Sequence, residues 1–323
     1  MTDWRYFDAN CTVGRHLKLP PGGLHTVDDL LADMDHHGIA EALVVHSLSR
    51  ETHPLYGNPR AVEATSISDR LHAAWAAVHP VAEDDQLPPE QLLEAMRSQR
   101  VGALFLFTRQ YRVDLSAWCI DRLLEPFAQE GIPVFINANE IGPMGIGMDD
   151  TDWGQVVDLC RRWPHLPVIV SERRMRRDHR TLLSALEACP NLKLEISGLW
   201  LYGAIEFIVK RFGADRLLFG TNWPSYGQHM TVATLAMADI ADDAKRRIAG
   251  DNLRELIGWC DPGHPVVEFP PPLDRFVEVG RTGDRPDTMR FMDCHGHLGG
   301  LKHQYHIHGR KLEDTVAEMD RLG

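Results

Sequence analysis

The sequence predicts an α/β fold, a (β/α)8 TIM-like barrel with a Pro-rich linker and a short C-terminal extension. Three observations carry that expectation. Strand-then-helix signals recur eight times in about 255 residues, the usual length of a closed parallel barrel. The strand segments are apolar throughout rather than alternating, as in strands covered on both faces. The chain has 323 residues, enough to bury one domain of about 250 residues and leave an extension.

Taken in order, the first strand lies in Arg5 to Gly14. Val27, Leu30, Leu31 and Met34 then repeat at helical spacing over 26–37, with Thr26 as N-cap and Gly38 as stop. Ala40 to His46 is a short buried-strand run. Helix 58–69, strand 73–80 ending in His79, helix 89–99 and strand 101–107 follow, then helix 115–130 and strand 132–137. A Gly- and Met-containing loop, 140–149, precedes helix 152–163. Strand 167–171, helix 180–188, strand 192–197, helix 202–212 and strand 216–220 complete the alternation, and 231–257 holds the closing helices. These elements define a barrel domain over 1–259. From 260 to 289 six prolines sit among charges, and this stretch reads as a linker or a surface-hugging tail.

Composition excludes some partners. With 46 acids against 34 bases the formal net charge is −12, which argues against nucleic acid and anionic membranes. The start of the chain has no apolar signal region, and no run approaches the roughly 18 apolar residues of a span, so the expected location is cytoplasmic. Six scattered cysteines with no CxxC pair suit free thiols in a reducing compartment.

The chain also repeats itself. Asp8 pairs with Asp293, Gly14 with Gly299, Met34 with Met319 and Gly38 with Gly323, each 285 residues apart, giving eight identities over the 34 positions from 5 to 38. Chance would give roughly two, so 290–323 reads as the start of a second, incomplete unit. Its Asp-Cys-His-Gly-His places His295 and His297 two apart, on one face of a strand, where both imidazoles could serve one metal ion. The first copy has Asn10 and Thr12 instead.

The barrel resembles the amidohydrolase-related branch of the amidohydrolase superfamily, metal-dependent hydrolases and decarboxylases. The resemblance rests on Phe7-Asp8-Ala9-Asn10, on Ala76-Ala77-Val78-His79-Pro80, on Gly131 to Asn137, on Asp251-Asn252-Leu253-Arg254-Glu255-Leu256, and above all on Gly213 to Pro224. It implies a His-x-His on strand one, a His each on strands five and six, and an Asp on strand eight. At those positions stand Asn10 and Thr12, Asn137, Glu172 and Asn222. Amides bind zinc poorly, and Asn222 cannot take a proton as Asp would. No cofactor is therefore expected in the first barrel, with a divalent metal such as zinc at His295 and His297 if a partner or a further segment completes the site.

The remaining polar mouth offers Asn10, His46, Arg109, Asn137, Arg173, Asn222 and Trp223 as substrate-binding candidates, with His79 and Glu172 as catalytic ones. Three have a bland reading beside them. His79 could be held by a neighbouring carbonyl, and Glu172 and Arg173 could form an ion pair at the rim. Two functional readings follow. In the first, the barrel lacks its metal ligands and acts as a binding or scaffold domain for a metal-binding partner copy, in a homo- or hetero-oligomer of such barrels. In the alternative it is an active hydrolase or decarboxylase of a small carboxylate or cyclic substrate, working without a transition metal. Whether this barrel is an enzyme is left open by the ligand replacements.

Overall fold

The computed structural model describes residues 4–16, 22–79, 81–82, 85–138, 151–172, 175, 178–284, 292–294 and 311–322. In chain order the elements are β1 (Tyr6–Val13), α1 (Val27–His37), β2 (Ile39–His46), α2 (Ser47–Glu51), α3 (Pro54–Thr65), β3 (Leu71–Ala76), α4 (Pro89–Ser98) and β4 (Ala103–Leu106). They continue with α5 (Thr108–Tyr111), α6 (Ala117–Glu130), β5 (Val134–Asn137), α7 (Trp153–Arg162), β6 (Val168–Ser171), α8 (His179–Ala188), β7 (Leu192–Glu195) and α9 (Ala204–Phe212). Last come β8 (Leu217–Leu218), α10 (Gln228–Ala236), α11 (Asp242–Arg246), α12 (Asn252–Ile257), α13 (Arg275–Thr282) and α14 (Leu312–Leu322).

The eight strands pair in sequence order, each parallel to the next. The ends close on each other: Ala9 N donates to Phe219 O and Thr12 N to Trp223 O, both at 2.9 Å. This is a (β/α)8 barrel. Alternate residues face inward, so Phe7, Ala9, Leu43, Val45, Ala74, Ala76, Phe105, Phe135, Ile169 and Leu218 fill its axis. The Phe105 and Phe135 rings stack there at 4.5 Å. Residues of the opposite parity meet the helices in a second, larger core. Among the described residues no helix is long and apolar enough to cross a membrane.

Local chemistry explains the element ends. The Thr26 hydroxyl accepts from Asp29 N and the Asp29 carboxylate accepts from Thr26 N, a reciprocal cap, while Gly38 stops α1 at φ 73°. Helix α3 starts at Pro54, earlier than the apolar spacing indicated, because His53 accepts from Leu55 N and proline suits the first turn. Strand β3 ends at Ala76 rather than at residue 80, since the Val78 backbone bonds to the Gln86 side chain instead of a neighbouring strand. Single-turn helices α2 and α5 are too short to show a period.

The described part of 260–289 hugs the barrel. Arg5 Nη2 donates to Pro265 O (3.3 Å), and Arg281 donates to Pro270 O (3.3 Å) and Asp35 O (2.6 Å). Within this strap Asp274 caps α13, accepting from Phe276 N and Val277 N, and Val279 is buried.

Candidate functional site

At the C-terminal end of β7, where barrels of this class keep their sites, the Glu195 carboxylate lies without exposure; a second such carboxylate, Asp8, is the third residue of β1, between the inward-facing Phe7 and Ala9. A register shift in β1 between Asp8 and Cys11 turns Asn10 into the mouth. Its Nδ2 donates to Ser171 Oγ (2.9 Å) and to Glu195 Oε2 (3.1 Å). Glu195 also accepts from Ser171 Oγ (2.8 Å), Ser197 Oγ (2.9 Å) and Ser197 N (2.6 Å). Only the NH2 end of an amide can face a carboxylate. The side chains around Glu195 thus act as donors to it, where a metal centre would turn acceptors toward a cation.

The Gly213 to Pro224 motif serves this arrangement. A Cβ on Gly220 would lie 2.6 Å from the Glu195 side chain, so glycine lets the chain just after β8 pass so close. Thr221 donates through Oγ1 (2.5 Å) and N (2.9 Å) to Asp8, which also accepts from Asn10 N (3.1 Å). Burial pushes both carboxyls above their ordinary range, and these hydrogen bonds work against that rise.

The other candidates take varied places. Asn137 ends β5 beside Ser171, and Glu172 follows directly; both are buried, with Glu172 Oε2 accepting from Thr151 N (3.1 Å). Arg109 lines a cavity of about 400 Å³ at the rim, together with Thr108, Arg112, Thr151 and Gln155. His79 follows β3, its Nδ1 buried without a hydrogen-bond partner among the described residues. His46 caps α2, Nδ1 accepting from Leu48 N, and burial lowers its imidazole from the usual range. Asn222 is buried in the left-handed region at φ 55°. The Trp223 indole turns out of the mouth into the outer core and donates to Asp33 (2.9 Å). Arg173, His295 and His297 lie outside the described residues.

A second cluster, absent from the sequence reading, sits at the opposite end of the barrel. Glu41 is third in β2 and His72 second in β3; His264 joins them from the strap. Their ligand atoms lie within 4.8 Å of one another, close enough to hold a metal ion, which leaves the expectation of no cofactor in this barrel unconfirmed. Burial alone would raise the Glu41 carboxyl, but hydrogen bonds from His72 and His264 and the Arg254 charge hold it down at about 2. Being at the N-terminal face, this cluster is remote from any chemistry in the mouth. Its signal was legible: Glu41 and His72 are single polar residues inside otherwise apolar strands.

This fold and this motif belong to the amidohydrolase family, whose model matches residues 22–259; the chain is a member of it. Among solved structures it is similar to 5-carboxyvanillate decarboxylase from Sphingomonas paucimobilis, at 14% identity and TM-score 0.59, covering 79% of this chain and 99% of that one. It is also similar to a probable 2-pyrone-4,6-dicarboxylic acid hydrolase from Acinetobacter baumannii with citric acid bound, at 13% and 0.58, covering 79% and 99%. A third is a dihydroxybenzoic acid decarboxylase from a Polaromonas species with bound manganese and the inhibitor 2-nitroresorcinol, at 15% and 0.55, covering 78% and 96%. At these identities the likeness is one of fold. No curated protein matches the chain.

Proposed function

We propose that this barrel is a binding member of its family, taking a small carboxylate at its mouth without running the metal-dependent reaction, and that it works beside a metal-binding copy. The observation that carries this reading is the Asn10 amide, whose NH2 reaches Ser171 and Glu195 at the position where the family resemblance implies a metal ligand. The surrounding donor set does not fit a transition metal: Asn137 and Asn222 are amides, and Glu195 already accepts four hydrogen bonds. The similar proteins act on or bind carboxylates by their names, and Arg109 and Arg112, which share the rim cavity with Asp114 and Asp152, are the cations such a ligand would meet.

The idea of a partner copy draws on the repeat. Helix α14 spans Leu312–Leu322 and α1 spans Val27–His37, the same 285 residues apart at both ends. Lys311 N donates to Asp314 Oδ2 (3.0 Å) as Thr26 N does to Asp29 Oδ2 (2.9 Å). Leu312, Val316 and Met319 are exposed on α14, whereas Met34, the counterpart of Met319, is fully buried in α1. We take residues 290–323 as the opening of a second unit, after a 1–259 barrel and a 260–289 strap, with zinc at His295 and His297 once the unit is complete.

The test is binding and turnover of 2,6-dihydroxybenzoate by the full chain with added Mn²⁺. Saturable binding without carbon dioxide release is expected, weakened roughly tenfold by Arg109→Ala, the value of one charge-assisted hydrogen bond. Carbon dioxide release that disappears in Glu172→Gln or His79→Ala would overturn the reading in favour of an enzyme.

A further inference from the structure

Glu41 and His72 enter the barrel at its N-terminal face, under the Phe7 ring, whose centroid lies 4.9 Å from that of His72. Both are buried, Glu41 completely. His264 arrives from the strap, from outside the barrel. His72 Nε2 lies 3.0 Å and His264 Nδ1 2.5 Å from one and the same oxygen, Glu41 Oε2. The other oxygen, Oε1, accepts from Arg254 Nε (2.8 Å) and Nη2 (2.6 Å).

Neutralising a buried carboxylate requires one cation, and Arg254 supplies it, with the Arg5 guanidinium 3.8 Å from the same oxygen. Two imidazoles brought from different segments onto the remaining oxygen exceed what charge balance asks for. One carboxylate oxygen and two imidazole nitrogens are a zinc donor set. A guanidinium holding the far oxygen of a ligating carboxylate is the kind of outer support that orients such ligands. The Arg254 and Arg5 charges oppose a bound cation, and Asp251, 3.3 Å from Arg254 Nη1, offsets part of that repulsion.

We propose that Glu41, His72 and His264 form a divalent-metal site of the zinc class at the N-terminal face of the barrel, separate from the mouth, which fastens the strap to strands β2 and β3. Each imidazole then carries its proton on the ring nitrogen away from Glu41 and turns a lone pair toward the ion. His264 is exposed, so entry is from that side, with water in the fourth position. The site does not depend on the reading of the mouth, because the two lie at opposite ends of the staves.

The test uses the full chain, stripped with a chelator and titrated with ZnCl2 alone against a chromophoric competitor, with Tm followed in parallel. His264→Ala changes a residue outside the strands, so the barrel should still fold. His264→Gln keeps a hydrogen-bond donor for Glu41 but not a good zinc ligand. The wild type should take up one more zinc equivalent than either variant, and the rise of Tm with zinc should be lost in both. Histidines between 295 and 308 are present in all three proteins and cancel in the comparison. Equal uptake by wild type and His264→Ala would overturn the site, as would uptake and Tm gain fully retained in His264→Gln, leaving a hydrogen-bonded ion pair.

Discussion

Asp8 and Glu195 show how single residues and their donors shape the barrel. Each is a carboxylate without exposure, and each is stabilised by donors that the chain itself supplies, Thr221 and Asn10 for one, Asn10, Ser171 and Ser197 for the other. Removing one donor leaves a buried anion short of a partner. Thr221→Val should therefore lower stability by about 2 kcal/mol in urea unfolding, and Thr221→Ser should recover most of it. An unchanged midpoint for Thr221→Val would mean that the Thr221 hydroxyl does not hold Asp8. Asn137 and Glu172 were legible as mouth residues because they lie at the ends of β5 and β6, and Asn10 through the family resemblance of the first strand. Glu195 was not, since the expected strand 192–197 ran past it, whereas β7 ends at Glu195 and its partner Asn10 is 185 positions away.

At the scale of elements, α1 carries a pH response. His37 in its last turn packs against His36 (4.6 Å between ring centroids) and His229 of α10 (5.8 Å). Burial, and then the neighbouring His36, His229 and Arg281, push its imidazole down to about 4 from 6.5. The folded chain thus holds His37 neutral while the unfolded chain takes up a proton. Stability should be level above pH 6.5 and fall between 6.5 and about 4, by on the order of 1 kcal/mol after allowance for partial exposure. His37→Gln should flatten that part of the curve, read by denaturant midpoints at several pH values; an equal slope in both proteins would refute it. The long helices were legible through apolar spacing and caps. Helix α13 was hidden because prolines on its N-terminal side marked the whole stretch as irregular, although Asp274 and Val279 give it a cap and a buried face.

The whole molecule is a barrel with two chemically distinct ends. Its eight-unit count was legible because most strands are short apolar runs and most of the longer helices amphipathic, and these patterns survive errors of a few residues at each boundary. The division of labour between the ends was not, because it depends on which inward-facing polar residues meet across the axis. At the mouth, donors turn toward the Glu195 carboxylate; at the opposite face, a carboxylate and two imidazoles converge beneath the strap. The central claim is that the mouth is built to hold an anionic side chain and hydrogen bonds rather than an ion. The direct measurement is anomalous diffraction from crystals of the full chain soaked in Mn²⁺ and, separately, Zn²⁺. The account expects no anomalous peak among Asn10, Ser171 and Glu195 with either ion. A peak there, about 2.0–2.2 Å from side-chain oxygens, would contradict it and make this end of the barrel a metal centre.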